Sequence, residues 1–402
     1  MIETNFKHTD IGVIPHDWEV KSLDSLFAFY AGGDIQKEYF SMTPQENKRY
    51  PIYSNSLENK GLYGYTSNPR YEANSITITG RGSLGHAEFR NHKFDAIVRL
   101  LVLQPKELVS GEFITNTINF YMPFVFESTG VPQLTVPQTA KALIPLPPTL
   151  AEQEKIANAL SKIDQLINDL GALIEKKKAI KQGTMQDLLT AKRRLKGFTE
   201  EWIEKTIEEL GILTGAGVDK KSSEDETPIR LINYLDVFKR DYIFQKELDF
   251  WVTANEGKKH QCNVLKGDIF FTPSSEMPYD IALSALAMED MPNVCYSYHI
   301  YRLRLNEDID FLYRAYMFKS DSFYSQANQT CEGSGKRYVI SLSKFKQMTV
   351  TYPSSKKEQR AIANILSSMD TEITNLEQKR DKYIAIKQGM MQNLLTGKIR
   401  LI

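Results

Sequence analysis

The sequence predicts an α+β protein with two globular regions of mixed helix and strand, separated by two long helices, in a pattern that occurs twice along the chain. Three observations support this fold class. The chain has 402 residues, more than one ordinary hydrophobic core accommodates. Residues 152–195 and 358–401 align without a gap at a constant offset of 206, and 24 of these 44 positions are identical. Both repeated segments have helical periodicity, whereas strand-like alternation precedes each of them.

The repeated segments are predicted to be long helices with a hydrophobic seam. Apolar residues recur at spacings of four and three, which is typical of a coiled coil. The seam consists of Ile156, Leu160, Ile163, Ile167, Leu170 and Ile174 in the first copy, and of Ile362, Leu366, Met369, Ile373 and Leu376 in the second. A helix of roughly 40 residues is about 60 Å long, which suits a spacer. We expect the two helices to pack antiparallel about a pseudo-two-fold axis, with ordinary core helices as the alternative.

A second duplicated feature is a glycine inside each predicted helix, in the shared sequence Ala-Ile-Lys-Gln-Gly at residues 179–183 and 385–389. A glycine within a helix costs about 1 kcal/mol relative to alanine. Its presence in both copies suggests a close backbone approach, a bend, or a surface that docks the same partner twice.

The globular regions share a frame but not their loops. Each opens with a tryptophan, Trp18 or Trp202, and has a strand-like stretch in the middle, Ser75–Thr79 or Asp268–Thr272. Each closes with a strand and a proline-containing link. A duplicated frame with diverged loops is what two binding regions for two different targets require. The predicted domain limits are 1–148 and 197–353 for the globular regions, and 149–196 and 354–402 for the helical regions.

Composition excludes several classes of protein. The net charge is zero, but the globular regions are net −2 and −6 and the helical regions +4 each, so there is no general basic surface. The cysteines Cys262, Cys295 and Cys331 are far apart, which argues against a disulfide framework and a zinc site. The longest apolar run of the chain is too short to cross a membrane. We expect a cytoplasmic, reducing setting.

Two short motifs are similar to catalytic signatures. Gly80–Gly85 has the G-x-G-x-x-G spacing of dinucleotide sites, but the next residues indicate a turn and strands instead of a helix. Asn68–Tyr71 is similar to the Asn-Pro-Pro-Tyr motif of adenine methyltransferases, but arginine stands third and the second globular region has no counterpart. The sequence contains no P-loop and no His-Glu-x-x-His motif. We therefore expect no catalytic residue and no metal site.

The predicted loops of both globular regions mix cations, amides, hydroxyls and aromatic rings. Such side chains read base edges and hold phosphates, although loops of this composition are also ordinary solvated loops. The candidates in the first region are Asn55, Lys60, Tyr63, Tyr65, Arg81, Ser83, His86, Arg90 and Lys93. Those in the second are Lys220, Lys221, Arg230, Asn233, Tyr234, Ser274, Ser275, Lys336, Arg337 and Tyr338.

The arrangement resembles the specificity (S) subunit of Type I restriction–modification enzymes over nearly the whole chain. The resemblance is carried by the twin EQxxIAxxLSxxD and AIKQGxMQxLLT segments, by Trp18 and Trp202, and by the Leu-Pro-Pro and Tyr-Pro exits. It implies two target recognition domains, each of which reads one half of a bipartite, asymmetric site in double-stranded DNA. It also implies that the helices pack antiparallel, set the spacer between the halves and hold two methyltransferase (modification) subunits.

The resemblance assigns the chemistry to partner subunits. The methyltransferase subunits use S-adenosylmethionine to methylate adenine at N6, and restriction (motor-nuclease) subunits use ATP and Mg²⁺ to translocate and cut DNA. This chain is expected to bind no cofactor and to have no membrane contact. Two alternatives are a coiled-coil scaffold whose two heads bind something other than DNA, and a self-sufficient methyltransferase or nuclease.

Overall fold

The computed structural model describes residues 5–122, 124, 132–335 and 337–402. The chain forms two compact units. Unit 1 comprises Met1–Gly171 together with Gln378–Ile402, and unit 2 comprises Ala172–Glu377. Both boundaries fall inside the long helices, so each unit contains one globular region and a part of each helix. The four domain limits that we drew from the sequence remain a prediction, because the division into two units does not test them.

The described residues form short strands and mostly short helices, apart from the two long ones. Unit 1 contains β1 (Phe6–Thr9), β2 (Gly12–Pro15), β3 (Glu19–Ser22), β4 (Phe27–Ala31), β5 (Phe40–Ser41), β6 (Tyr50–Tyr53), β7 (Leu62–Thr66), β8 (Ser75–Thr79), β9 (Ala87–Arg90), β10 (Asp95–Ala96), β11 (Leu100–Pro105) and β12 (Leu143–Leu146). Unit 2 contains β13 (Trp202–Thr206), β14 (Gly211–Thr214), β15 (Thr227–Ile232), β16 (Tyr242–Ile243), β17 (Trp251–Ala254), β18 (Ile269–Phe271), β19 (Ser274–Ser275), β20 (Ser284–Ala287), β21 (Val294–Tyr296), β22 (Tyr301–Leu305), β23 (Glu332–Ser334), β24 (Arg337–Val339) and β25 (Thr349–Pro353). The helices are α1 (Leu23–Leu26), α2 (Gly111–Tyr121), α3 (Val136–Ala140), α4 (Leu150–Leu189), α5 (Ile207–Leu210), α6 (Tyr234–Phe238), α7 (Glu256–Gln261), α8 (Asp321–Thr330), α9 (Leu342–Gln347) and α10 (Lys356–Leu394).

Unit 1 is built on two four-stranded sheets, in the orders β4-β11-β8-β9 and β10-β6-β7-β5. Strand β8 is buried along its whole length, and its isoleucines and threonines are β-branched residues that favour strands. Helix α2 begins where the Ser110 side chain accepts a hydrogen bond from the N–H of Phe113 (3.3 Å). Residues from both long helices complete the core around Trp18: Ile156, Leu160, Leu394 and Leu395.

Unit 2 contains a five-stranded sheet, β14-β22-β18-β20-β16, and two three-stranded sheets, β17-β15-β21 and β19-β24-β23. Aromatic rings dominate its main core, where Phe271 packs edge-on against Phe318 with ring centroids 5.0 Å apart. The long helices again contribute, through Leu188 of α4 and through Ile362 and Leu366 of α10.

The two units share a backbone frame, which confirms the internal repeat. In unit 1, β11 pairs antiparallel with β8 and β4, and in unit 2, β22 pairs antiparallel with β18 and β14. The residue just before the last strand of each globular region also accepts an equivalent backbone hydrogen bond. The N–H of Leu23 donates to the carbonyl of Ala142 (3.0 Å), and the N–H of Ile207 donates to that of Met348 (2.9 Å).

Helices α4 and α10 pack antiparallel within each unit. In unit 1, Lys387 pairs with Asp164 (2.6 Å) and Arg400, beyond the end of α10, pairs with Glu152 at the start of α4. In unit 2, Lys177 pairs with Glu372 (2.6 Å). The seam is buried at Ile156, Leu160, Ile163, Ile174, Ile362, Leu366 and Ile373, and partly buried at Ile167, Leu170, Met369 and Leu376. At the start of each helix the seam packs on the globular core as well as on the other helix, a contact that periodicity alone does not reveal.

The duplicated glycines, Gly183 and Gly389, both lie within helices that continue past them. A Cβ atom built on either would have no atom within 4 Å, so no close approach to another part of the described chain explains them. Among the residues that the structure describes, no helix is both long and apolar enough to cross a membrane.

Unit 2 also contains a charged network between its globular part and its helices. The carboxylate of Asp241 pairs with the ammonium groups of Lys319 and Lys181, and Lys181 pairs in addition with Asp370. Lys319 is only 6% exposed. Burial would raise the pKa of Asp241, but Lys319 and Lys181 outweigh this effect and hold that pKa below its usual value.

Candidate nucleic-acid interface

Four loop segments meet at one edge of the main sheet of unit 1, and we call them loop cluster 1. They are residues 54–55, 80–85, 97–99 and 132–134. Gly80 joins three of them, because its N–H donates to the carbonyl of Arg99 (2.8 Å) and its carbonyl accepts from the N–H of Leu134 (3.0 Å). The guanidinium of Arg81 contacts Oε1 of Gln133 (3.1 Å), and the amide of Asn55 donates to the carbonyl of Arg81 (3.2 Å).

The corresponding segments of unit 2 are residues 233–234, 273–282, 297–300 and 337–340, which we call loop cluster 2. Here the carbonyl of Pro273 accepts from the N–H of Ile340 (2.8 Å), as that of Gly80 does from Leu134. Ser275 pairs with Tyr338 across β19 and β24. Burial raises the pKa of Tyr234, against the opposing effect of a hydrogen bond with the Ser275 side chain, so this tyrosine belongs to the same group.

Backbone hydrogen bonds establish that the two clusters are equivalent. The hydroxyl of Thr79 accepts from the N–H of His86 (3.0 Å), and that of Thr272 accepts from the N–H of Leu283 (3.0 Å). Thr79 ends β8 and Thr272 directly follows β18, and both anchor the hairpin loops that come next. The N–H of Ile97 donates to the carbonyl of Tyr53 (2.9 Å) and that of Ser297 to the carbonyl of Ile232 (3.0 Å), so Asn55 and Tyr234 occupy one position in the common frame. Arg81 and Ser274, each two residues after its threonine, occupy another. The same position therefore carries different chemistry in the two units.

Three further candidates in unit 1 lie at its surface. Lys60 has a left-handed backbone (φ 54°), Tyr63 is 43% exposed beside Phe40, and Lys93 pairs with Glu72 (2.8 Å). Tyr65 lies half-buried on β7. These side chains are accessible to a ligand.

Ser83 and His86 belong to the hairpin that includes the loop of cluster 1. Ser83 lies within the loop, and its carbonyl accepts a hydrogen bond from the Thr79 hydroxyl. His86 follows the loop and pairs with Glu88 (3.1 Å).

Arg90 is the candidate that the structure places least favourably for contact with a ligand. Its side chain is buried, with 3% exposure, and stacks on the ring of Tyr53 at 3.5 Å. Its guanidinium donates to the hydroxyl of Thr77 (3.0 Å) and to the carbonyl of Lys60 (2.9 Å). We therefore assign Arg90 to the support of loop 54–61 and leave it out of the proposed interface.

Among the candidates of unit 2, Lys220 and Arg337 come together although 117 positions separate them. Burial lowers the pKa of His299, and the charges of Lys220 and Arg337 lower it further, so both cations lie within electrostatic reach of this imidazole. Lys221 is exposed beside Asp219 (3.8 Å).

Two candidates of unit 2 are engaged internally, and one cannot be placed. Arg230 donates to the carbonyl of Gln245 (2.7 Å) and lies over the ring of Trp251. The backbone N–H of Asn233 donates to the carboxylate of Asp236 (2.8 Å) at the start of α6, and its side-chain amide donates to the carbonyl of Leu231 (3.5 Å). Lys336 lies outside the described residues.

The turns at Arg99 and His299 were not among the candidates. The residues around them, Ile97–Leu100 and Ser297–Tyr301, read as ordinary apolar or aromatic strand sequence. Aligning the two globular regions by their strands would have placed both turns next to the hairpin loops. Among the described residues, no group of three histidine, cysteine, aspartate or glutamate side chains has the arrangement of a metal site.

A second duplicated arrangement lies where the repeated segments meet, and we call it the arginine clasp. In unit 1, Arg400 binds the buried carboxylate of Glu152 through two hydrogen bonds of 2.5 and 2.8 Å. In unit 2, Arg194 binds Glu358 through two of 3.0 and 2.8 Å. In each clasp the arginine comes from one copy of the repeat and the glutamate from the other. Contacts within the chain thus account for these duplicated residues.

The glutamine after each clasp glutamate has an equally repeated role. Gln153 donates to the carbonyl of Pro147 (3.0 Å) and accepts from the N–H of Ser110 (3.0 Å). Gln359 donates to the carbonyl of Pro353 (2.8 Å), and its side-chain oxygen accepts from the N–H of Asp310 (2.7 Å). The Glu-Gln pair of each repeat therefore joins the long helix to its globular region.

Comparisons with known proteins agree with this architecture. Residues 15–182 and 199–385 each match the type I restriction modification DNA specificity domain. The type I restriction enzyme MjaVIII specificity subunit of Methanocaldococcus jannaschii is 23% identical over 418 aligned positions, covering 99% of this chain and 97% of that protein. The type I restriction enzyme MpnII specificity subunit of Mycoplasma pneumoniae is 33% identical over 141 positions, covering 35% of this chain and 42% of that protein.

The fold is also found among solved structures. The S subunit of a type I restriction–modification system from M. genitalium aligns with a TM-score of 0.60 and 16% identity, over 98% of this chain and 97% of that one. Because the two domain matches cover most of the sequence, the chain belongs to the family of type I restriction–modification DNA specificity proteins and carries two copies of the domain. The sequence-based assignment to this family is confirmed.

Proposed function

We propose that loop clusters 1 and 2 each contact one half of a bipartite, asymmetric site in double-stranded DNA. The observation that carries this proposal is the pairing of one backbone frame with different side chains at equivalent loop positions. Asn55 stands where Tyr234 stands, and Arg81 stands where Ser274 stands. Side chains of these types form hydrogen bonds with base edges and phosphates. Two such surfaces in one chain suit a target with two unlike halves.

The clusters supply local positive charge in globular regions that are acidic as a whole. Lys60, Arg81 and Arg99 lie at or beside loop cluster 1, and Lys220 and Arg337 lie beside His299 in loop cluster 2. Contacts with phosphates need only such local cations when other subunits bind the same duplex. This distribution favours binding as part of a complex over tight binding by the isolated chain.

The test is co-expression with a methyltransferase subunit from the same kind of system, followed by mapping of modified adenines across a genome. We expect one two-part motif with a fixed gap. Exchange of residues 14–150 for those of a relative should change only one half, and the reciprocal exchange of residues 199–352 should change only the other. A continuous motif, or a change in both halves after one exchange, would contradict the model.

We further propose that the faces around the duplicated helix glycines dock two identical methyltransferase subunits. Ile180 and Ile386 are 45% and 41% exposed, and each lies three residues before a glycine, on the same helical face. An exposed isoleucine beside a helical glycine with open space around it offers an apolar surface onto which a partner protein can pack closely. Two equivalent faces predict two copies of one partner.

This docking proposal is tested by adding bulk where the chain itself has room. Gly183→Leu or Gly389→Leu alone should reduce the complex from two methyltransferase subunits to one, measured by native mass spectrometry. Asn168→Leu, on an exposed part of α4 outside the shared Ala-Ile-Lys-Gln-Gly sequence, serves as the matched control and should retain two. Retention of both subunits by both glycine variants would rule out this face.

Under this proposal, catalysis belongs to the partners. The methyltransferase subunits would supply S-adenosylmethionine, and restriction subunits would supply ATP and Mg²⁺ for translocation and cleavage. Purified chain incubated with labelled S-adenosylmethionine and DNA should transfer no methyl group, whereas the co-expressed complex should. Methylation by the isolated chain would overturn this division of labour.

A further inference from the structure

The turn that precedes β11 occupies the centre of loop cluster 1. The carbonyl of Arg99 accepts the N–H of Gly80, and Ile97 forms an isolated bridge with Gly33. Arg99 has a left-handed backbone (φ 75°), which an arginine adopts only where surrounding contacts impose it. Its side chain is exposed and, among the described residues, makes no hydrogen bond or ion pair. The backbone is thus held in place while the guanidinium is available.

The turn that precedes β22 lies at the same place in unit 2. Ser297 forms an isolated bridge with Val218, as Ile97 does with Gly33. Two residues further on, His299 stands at the position of Arg99, and its ring lies 3.9 Å from the ring of Tyr298. In the described part of the chain, the imidazole makes no hydrogen bond. Lys220 and Arg337 are close enough to influence its charge.

The chemistry of these two side chains suits contact with bases. A guanidinium presents a rigid fork of donors that matches O6 and N7 of guanine. A neutral imidazole presents one donor and one acceptor, and its flat ring stacks on other rings. The two turns therefore offer different hydrogen-bonding patterns from one position of the common frame. The neighbouring positions, Asn55 with Tyr234 and Arg81 with Ser274, differ in the same way.

We propose that Arg99 and His299 are equivalent specificity-determining residues, each contacting a base of its own half of the DNA site, with Arg99 selecting a guanine. This inference rests on the proposed function, because it assigns residues within the two DNA-binding surfaces. It predicts that one base pair in each half depends on the residue at this turn. The spacing between the halves does not depend on it.

The test uses the complex with the methyltransferase subunit and maps modified adenines for each variant. Arg99→Gly removes the side chain and retains a left-handed backbone without strain. It should reduce methylation of the original motif at least tenfold and relax one base pair in one half only. Arg99→His and His299→Arg should each change preference in one half, and in opposite halves. Lys106→Ala and Asn306→Ala, at the far ends of β11 and β22, are the controls and should leave the motif unchanged.

The outcomes separate this assignment from the function on which it rests. If the unaltered complex yields no bipartite motif, the proposed function fails, and the assignment fails with it. If that motif is bipartite but the Arg99 and His299 variants leave both halves unchanged, the assignment alone is overturned. Thermal unfolding of each variant complex identifies misfolding, and Arg99→Gly is expected to melt with the unaltered complex. Relaxation in the controls as well would also overturn the assignment.

Discussion

Arg400 forms two hydrogen bonds with Glu152, which lies 248 positions earlier in the chain and is 2% exposed. The same guanidinium also binds Asp17 through two hydrogen bonds of 2.8 Å and lies over the ring of Trp18. A bidentate pair of this kind adds geometric specificity to its charge attraction. It joins the start of the first globular region, the start of α4 and the end of the second repeat at one point.

The clasp predicts a selective loss of stability. Arg400→Ala leaves the buried carboxylate of Glu152 without its cation, which should destabilise unit 1 by about 3 kcal/mol. Arg194→Ala should destabilise unit 2, because it leaves the buried carboxylate of Glu358 without its cation. Hydrogen exchange followed by mass spectrometry measures both units in one sample. Equal loss of protection in both units after either substitution would show that the clasps are not local.

The two residues that follow the long helices predict a pair of opposite effects. Ala191 has a left-handed backbone (φ 56°), and its counterpart one repeat later, Gly397, has φ 69°. Ala191→Gly should stabilise unit 2 by roughly 0.5 kcal/mol, because glycine adopts this conformation without steric strain. Gly397→Ala should destabilise unit 1 by more than 1 kcal/mol, since a Cβ there would lie 2.2 Å from Cγ of Pro15. Urea titration is the measurement, and a stabilised Gly397→Ala variant would refute the argument.

Substitutions of two arginines in unit 1 should affect stability and DNA binding separately. Arg90→Ala removes a buried, internally bonded side chain and should lower stability by about 2 kcal/mol. Arg81→Ala, at the surface of loop cluster 1, should leave stability within about 0.5 kcal/mol. It should weaken DNA binding by the complex by about 1–3 kcal/mol if it contacts a base. Thermal unfolding and a binding titration at two salt concentrations measure both properties, and a reversed pattern would exchange the two roles.

The charged network predicts that the stability of unit 2 depends on pH. Because the pKa of Asp241 is lowered in the folded protein, its charge stabilises unit 2 above the unfolded pKa of about 4. That contribution is lost as the pH falls through the lower, folded value. Asp241→Asn should therefore destabilise unit 2 at pH 7, by about 1 kcal/mol because solvent screens this 40% exposed carboxylate, and by less as the pH approaches 3. Asp308→Asn, which removes an exposed pair with Lys356, is the control and should leave the stability of unit 2 nearly unchanged at both pH values.

Most of the architecture could be predicted from the sequence because many residues of the two repeats are identical. The helical seam and the shared openings and exits of the globular regions locate every major part. The loops were harder, because whether a loop arginine is exposed depends on tertiary neighbours. Arg90 and Arg81 look alike in the sequence, yet Tyr53 and Thr77 cover one of them and leave the other at the surface. Arg99 was missed because the turn that presents it is formed by contacts with Gly80 and Gly33, both distant in the chain.

The division of the chain into units has a consequence for its synthesis. Unit 2 is one continuous stretch, whereas unit 1 needs Leu394, Leu395 and Arg400 to complete a core that begins at the other end of the sequence. Since proteins fold from the N-terminus as they leave the ribosome, the region made first must wait longest for its last contacts. A chain truncated just before Leu394 should resist protease in residues 172–377 and remain sensitive in residues 15–150. The first globular region would then complete its fold only after the second repeat has been synthesised.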